Sequence, residues 1–394
     1  MKHRVAVLSI VATIALIGAS MVPAGAGPGR TSSANARLQM YTVVTDQAGA
    51  TAIKSAGYDI ASVESTSSGL VSLEIVAYPS DRGALEKFGS VRLWRNDAGL
   101  TSTQLAEQQA SAGFKVWMDY DGDDGFEQYM YELEAANEDI LDLDVVGLPT
   151  HQGRDIIALR LTDESTDEEG DKPAVLYSSL IHAREWITGE VNRRLLEWFI
   201  KGWREDKPQV VDILGSTELW FVLVQNPDGY QYTFEHDRLW RKNLRDNDGD
   251  EAITILDGVD NNRNFAEHWN FDDEGSASII SDQTYRGPAP MSEPETQALD
   301  LVLQMAQPEY HISYHSFGEL LLYPFGFQVN TPSADDPIFF AWAGTDKKPA
   351  VDLAGDPFAG MDQRGVQDGR LVAVLVRALV GQPQGDDVPP LVGR

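Results

Sequence analysis

His182 and Glu185 stand with two residues between them in Leu180-Ile181-His182-Ala183-Arg184-Glu185-Trp186, where a short apolar run gives way to a helical pattern. In open α/β sheets, sites gather at the carboxyl ends of strands. An imidazole and a carboxylate at this spacing can turn to one point, which suits a tetrahedral zinc with one position left for water. The same spacing also fits an ordinary helix start with a capping glutamate, so the surroundings must decide. A third ligand is offered by His315, in Tyr314-His315-Ser316-Phe317 at the end of another strand-like run. His311 is its rival on that strand; His315 is preferred because it lies nearer the carboxyl edge. The chain has no cysteine, so a thiol nucleophile and a thiolate metal site are both excluded. Any transition metal must be held by His, Asp or Glu.

These residues belong to an ordered series. After Ile181–Trp186 come Asn226-Pro227-Asp228-Gly229-Tyr230 and Arg238-Leu239-Trp240-Arg241-Lys242-Asn243. Gly258-Val259-Asp260-Asn261-Asn262-Arg263-Asn264-Phe265 follows, then Tyr285-Arg286-Gly287 with Ser292-Glu293-Pro294-Glu295, and finally His315-Ser316-Phe317-Gly318 through Leu322-Tyr323-Pro324. Taken together, over roughly residues 114–345, the series resembles the zinc carboxypeptidases related to carboxypeptidases A, B and T. The resemblance implies one Zn2+ ion held by His182, Glu185 and His315. It implies that Arg241 polarises the scissile carbonyl, that Asn262 and Arg263 grip the terminal carboxylate of the substrate, and that Arg184 lines a neighbouring subsite. The partners it implies are the C-termini of peptides and proteins.

Elementary chemistry is consistent with those roles. A C-terminal exopeptidase must recognise a free carboxylate, and a planar guanidinium does so bidentately. A second guanidinium near the metal places fixed positive charge where negative charge develops. Zinc brings the pKa of a bound water down to about 7. The family also needs a glutamate base and a mobile tyrosine beyond the last histidine block. The last glutamate here is Glu319 and the last tyrosine Tyr323, and residues from about Asp352 to Arg394 show no resemblance. Two readings follow: a change of reading frame near residue 350, or a variant that binds peptides without cleaving them. Asp352, Asp356 and Asp362 have no spacing that marks them as a replacement base. The tail, 351–394, is expected to be too short for the family's remaining strand and closing helix.

The elements that must position these groups are legible from periodicity. Strand patterns at Asp155–Leu161, Ala174–Ile181, Glu218–Val224 and Tyr310–Tyr314 alternate with helical ones at Gly125–Asn137, Glu185–Trp203 and Glu295–Met305. That predicts an α/β catalytic domain over 113–350, with a mixed, mostly parallel sheet flanked by helices. Ahead of it, Met40–Val44, Ala48–Ala56, Tyr58–Val63, Leu70–Ala77, Asp81–Phe88 and Ser90–Trp94 read as βαββαβ, the order of a small α+β ferredoxin-like domain. Residues 27–112 are therefore expected to be a linker and a prosegment or accessory domain, with Thr101–Ala112 as a polar joint.

Lys2, His3 and Arg4 precede an apolar run to Val22 and the small-x-small site Ala24-Gly25-Ala26. This is the pattern of a signal peptide over 1–26, and it predicts a secreted protein with no membrane span after cleavage. A formal net charge of −30 argues against nucleic acid as a partner and for a soluble, monomeric extracellular surface. Asp119-Tyr120-Asp121-Gly122-Asp123 and Asp246-Asn247-Asp248-Gly249-Asp250 resemble calcium loops without completing the EF-hand pattern, so Ca2+ is a second candidate cofactor. Trp186, Trp198 and Trp203 are read as core residues.

Overall fold

The computed structural model describes residues 38–56, 58–66, 68–96, 98–111, 118–166, 172–273, 275–316, 321–322, 334, 337–338 and 370–375. The signal-peptide segment, the start of the linker, Glu319, Tyr323 and most of the tail lie outside these residues.

The N-terminal region forms β1 (Gln39–Thr45), α1 (Gln47–Ser55), β2 (Asp59–Ser65), β3 (Val71–Ala77), α2 (Arg82–Leu85) and β4 (Ser90–Leu93). Its sheet runs β2-β3-β1-β4, with every neighbour antiparallel. β3 shows the period of two on which strand packing rests. Val71, Leu73 and Ile75 enter the core beneath α1, while Val76 and then Tyr78 pack with Leu38, Leu239 and Ile255. One strand thus serves the core of its own sheet and a second cluster shared with Leu239 and Ile255, far along the chain. The joint is helical, as α3 (Ser102–Ser111), rather than irregular.

The larger domain contains α4 (Phe126–Ala135), β5 (Leu141–Val145), β6 (Ile157–Leu161), β7 (Ala174–Ser178), α5 (Trp186–Arg204) and α6 (Pro208–Ser216). It continues through β8 (Glu218–Val222), α7 (Pro227–Glu235), α8 (Pro294–Ala306), β9 (Tyr310–His315), β10 (Leu321–Leu322) and β11 (Arg370–Leu375). The seven strands lie in the order β10-β11-β9-β7-β8-β6-β5. β11, β9, β7 and β8 are parallel; β10 runs antiparallel to β11, and β6 and β5 are antiparallel on the other side. The sheet is mixed, as expected, but its parallel character is confined to the centre. β5 and β6 are joined by a loop with no crossover helix, which permits only antiparallel pairing.

Alternation along β8 builds two cores. Leu219 and Phe221 join Phe126, Leu196, Phe199 and Leu214 on one face. Trp220 and Val222 join Ala298, Leu299 and Val302 of α8 on the other. Trp198, read as a core residue, is 45% exposed, because it falls on the outer face of α5. The tail, 351–394, reads as too short for the family's remaining strand and closing helix. Within it, Arg370–Leu375 pairs in parallel with Tyr310–His315 of β9.

Candidate active site

The site is assembled where β7 and β9 end side by side. At the end of β7 the chain turns sharply through Leu180, whose φ of 53° is unusual for a side chain of this size. The amide of Leu180 donates to Thr188 Oγ1, and Thr188 Oγ1 in turn donates to the carbonyl of Glu185. A Cβ on Gly189 would lie 2.5 Å from Leu180 Cδ1, so a larger residue there would make the buried Leu180 side chain move. The start of α5 is pinned by Trp186, which stacks on Phe234 at 4.1 Å between ring centres and donates from Nε1 to Thr233 Oγ1. The turn and this anchor bring His182 and Glu185 onto the same side.

His182 Nδ1 lies 2.9 Å from Glu185 Oε1 and 3.2 Å from His315 Nδ1. His315 Nδ1 lies 3.3 Å from Glu185 Oε2. All three residues are buried. Tetrahedral coordination at ordinary zinc–nitrogen and zinc–oxygen lengths spaces donor atoms about 3.3 Å apart. Two imidazoles and one carboxylate at these separations therefore fit a zinc ion in both chemistry and spacing. The distal nitrogens face polar groups: His182 Nε2 lies 3.3 Å from Asp260 Oδ1, and His315 Nε2 lies 3.3 Å from Ser313 Oγ. A carboxylate on the far nitrogen of a ligating histidine fixes its tautomer and orientation. The amide of Ser316 donates to Glu185 Oε2. Burial pushes the Glu185 carboxyl up, but the His182 and His315 imidazoles outweigh it and hold it well below the usual carboxylate range. The rival His311 lies against Ser178 Oγ at 2.7 Å.

Arg241 reaches the same place from the segment after α7. Its Nε and Nη2 donate to Asp260 Oδ2 at 3.1 and 2.8 Å, so Asp260 joins Arg241 to His182. Burial disfavours the Asp260 carboxylate, yet Arg241, Arg263 and His182 together hold its pKa well below the ordinary value. Asp260 also accepts from the amide of Asn262, which shapes the short 3-10 turn Asn261–Arg263. Neither role was assigned from the sequence, where an aspartate among asparagines reads as a turn residue.

Asn226 is a second unassigned positioner. Its Nδ2 donates to the carbonyls of Lys242 and Ile181, clamping the Arg241 segment to the His182 turn, while its Oδ1 caps α7. Ala183 N completes this contact by donating to Arg241 O.

Asn262 and Arg263 are buried beside Asp260. Arg263 Nε donates to the carbonyl of Gly275 and Nη1 to that of Asn262, so the guanidinium is tied to the 270–285 loop. Arg184 is partly exposed, and its carbonyl accepts from Arg238 Nη1 at 2.8 Å. The first calcium-like segment is otherwise engaged, because Asp121 forms a two-pronged ion pair with Arg154. In the second, Asp246, Asp248 and Asp250 gather within 4.8 Å and accept from backbone amides of their own loop, as acidic turns do.

Comparison with known proteins agrees with the donor set. A family profile described as zinc carboxypeptidase matches residues 126–352. A metallocarboxypeptidase A-like protein of Trichophyton verrucosum is 30% identical over 215 residues, covering 54% of this chain and 48% of that protein. Carboxypeptidase B of Astacus astacus is 31% identical over 218 residues, 55% of this chain and 67% of its own. Carboxypeptidase A1 of Mus musculus is 34% identical over 190 residues, 47% and 42% respectively. The match thus spans about half the length of several of these relatives. Among solved structures, the carboxypeptidase A of Helicoverpa armigera superposes with a TM-score of 0.66 at 20% identity, covering 89% of this chain and 91% of that one. At that identity the likeness speaks for the fold alone. With the match covering more than half of the sequence, the chain belongs to the zinc carboxypeptidase family.

Proposed function

We propose that this chain is an exported zinc carboxypeptidase that hydrolyses the C-terminal bond of peptides and proteins. The observation that carries the reading is the meeting of His182 Nδ1, Glu185 and His315 Nδ1 within 3.3 Å, with Asp260 linking that cluster to Arg241. A bound zinc would supply Lewis acidity and an activated water. The remaining work falls to the chain's own groups. Asp260 holds the His182 ring with Nδ1 facing inward and aligns Arg241 through its other oxygen. Arg241 offers a desolvated guanidinium to the carbonyl under attack, where fixed charge is most effective. Asn262 and Arg263 bind the substrate's free carboxylate, and Arg184 lines the adjoining subsite.

Residues 27–112 act, in this reading, as a prosegment. Leu38, Val76 and Tyr78 pack against Leu239 and Ile255, and the Leu38 amide donates to Asp237 Oδ2. The small domain therefore sits on the segment that carries Arg241.

A second reading is favoured by one feature of the sequence: residues 320–394 contain no glutamate and residues 324–394 no tyrosine. It makes the chain a zinc-dependent peptide binder that does not cleave. Release of C-terminal residues from N-blocked peptides, with and without a chelator, separates the two. Chelator-sensitive release supports the enzyme; a folded, zinc-loaded chain without release supports the binder.

A further inference from the structure

Behind the two arginine-bearing loops lies a buried polar hub that none of the roles above uses. Asn243 sits at its centre. Its amide donates to the carbonyl of Val259, and its Oδ1 accepts from the amide of Val259 at 2.7 Å, so two segments are locked in both directions. One carries Arg241, the other Asp260, Asn262 and Arg263. Gly258 makes the approach feasible: its φ is +77°, and a Cβ there would lie 2.5 Å from the carbonyl of Asn243. Asn243 Nδ2 then reaches the start of α8, donating to Glu293 Oε2 at 2.8 Å and Glu295 Oε2 at 3.0 Å.

The two carboxyl groups are unequally served. Glu293 receives His151, Asn243, Ser292 and Arg245. Glu295, with no exposed surface, receives Asn243 and a backbone amide at the helix start, and among the described residues its Oε1 has no hydrogen-bond partner. Two buried carboxylates this close cannot both carry charge cheaply. We propose that Glu295 is a positioning residue for carboxylate recognition: it keeps a proton at neutral pH, this lets Asn243 hold both loops against α8, and loss of the proton loosens that hold. The role in recognition rests on the function proposed above.

The surroundings explain the proton. Burial and the Glu293 charge push Glu295 up to about 8, against the pull of Asn243 and the helix start. Glu293 itself is raised by burial but lowered more by His151, Ser292, Asn243 and Arg245. The charged and titratable groups facing the pair are His151 from the β5–β6 loop, Arg245 from the Arg241 segment and Tyr285 ahead of α8. For His151, burial works against the charged ring, and the hydrogen bond and charge of Glu293 favour it. A carboxyl raised on folding stabilises fully below its unfolded value and loses that contribution as pH climbs to the folded one, here from about 4.5 to about 8.

The test compares the full chain with Glu295→Gln, which is permanently neutral. Both are followed by thermal melts and by calorimetric titration with an N-acetylated dipeptide and its C-terminal amide, from about pH 5 to about pH 9. The variant is expected to become the more stable protein as pH rises. The wild type's affinity for the free-carboxylate peptide is expected to fall several-fold over the interval, and the variant's to stay level. Parallel melts would overturn the retained proton; diverging melts with matching affinity profiles would overturn the positioning role. If neither protein prefers carboxylate over amide at any pH, the functional reading and the positioning role fail together, while the melts still decide the proton. One measurement requires no variant: the infrared carbonyl band of a protonated carboxyl should persist in the wild type at about pH 7, and its absence overturns the proposal.

Discussion

Asp260 Oδ1 stands 3.3 Å from His182 Nε2, on the side of the ring opposite the Nδ1 that meets Glu185 and His315. A fully buried carboxylate therefore faces the far nitrogen of a ring whose Nδ1 is turned towards the candidate metal site. Replacing Asp260 by Asn keeps the shape and removes the charge, and should weaken zinc binding by about 10- to 100-fold. Competition with a chelator of known affinity measures it; an unchanged affinity would show that Asp260 does not tune the ligand.

Asp260→Ala should do more than Asp260→Asn. It also removes the carboxylate to which the Arg241 guanidinium, 5% exposed, donates at 2.8 Å. Breaking such a buried pair costs about 3–5 kcal/mol, so denaturant unfolding should separate the two variants clearly.

Arg241→Lys retains a cation but loses the planar fork that Asp260 aligns. If the chain cleaves peptides, kcat should fall by about 10²–10³, the usual cost of losing an oxyanion donor, with KM changing less. Arg263→Lys should show the reverse, raising KM for free-carboxylate substrates. Steady-state kinetics on one peptide series decides both, and equal effects on kcat and KM would remove the distinction.

Lys242 is 1% exposed and donates to the carbonyl of Ile280. Burial drives its pKa down to about 8, against Asp282, Asp257 and Asp260. The folded state then holds fewer protons than the unfolded chain between about 8 and about 10.5, so this group's contribution rises with pH over that window. Lys242→Met should be more stable than the wild type at neutral pH, with the gain shrinking towards pH 10.5. Melts at both ends of the window test the sign.

Val76 faces the larger domain, whereas Leu73 and Ile75 face the small domain's own core. Val76→Asp should therefore loosen the contact at Leu239 without unfolding the small sheet. Faster proteolytic release of the N-terminal region, with its circular dichroism retained, would bear this out; unchanged release would count against a covering role.

The candidate metal site was legible because His182 and Glu185 lie between the end of β7 and the start of α5 and His315 ends β9, where periodicity changes and few structural demands compete. Asp260 and Asn226 were harder. Each acts through hydrogen bonds to segments distant in sequence, and an Asx residue in a loop has the same local signature whether it caps a turn or clamps two chains. β5 (Leu141–Val145) escaped because Asp142 and Asp144 alternate with its apolar residues on the edge of the sheet. β11 was hidden for a different reason. Its run is apolar enough for a strand, but only the open side of β9 shows where such a strand belongs.

The double use of β3 has a mechanical consequence. Parting β3 from the segment that carries Arg241 would bare apolar surface on both sides at once, at Val76 and Tyr78 on one and at Leu239 and Ile255 on the other. The freed halves would then be adhesive, more so at high salt, where the repulsion of an acidic chain is screened. Separation would behave as a commitment rather than a reversible opening, unless other surfaces promptly covered what had been exposed.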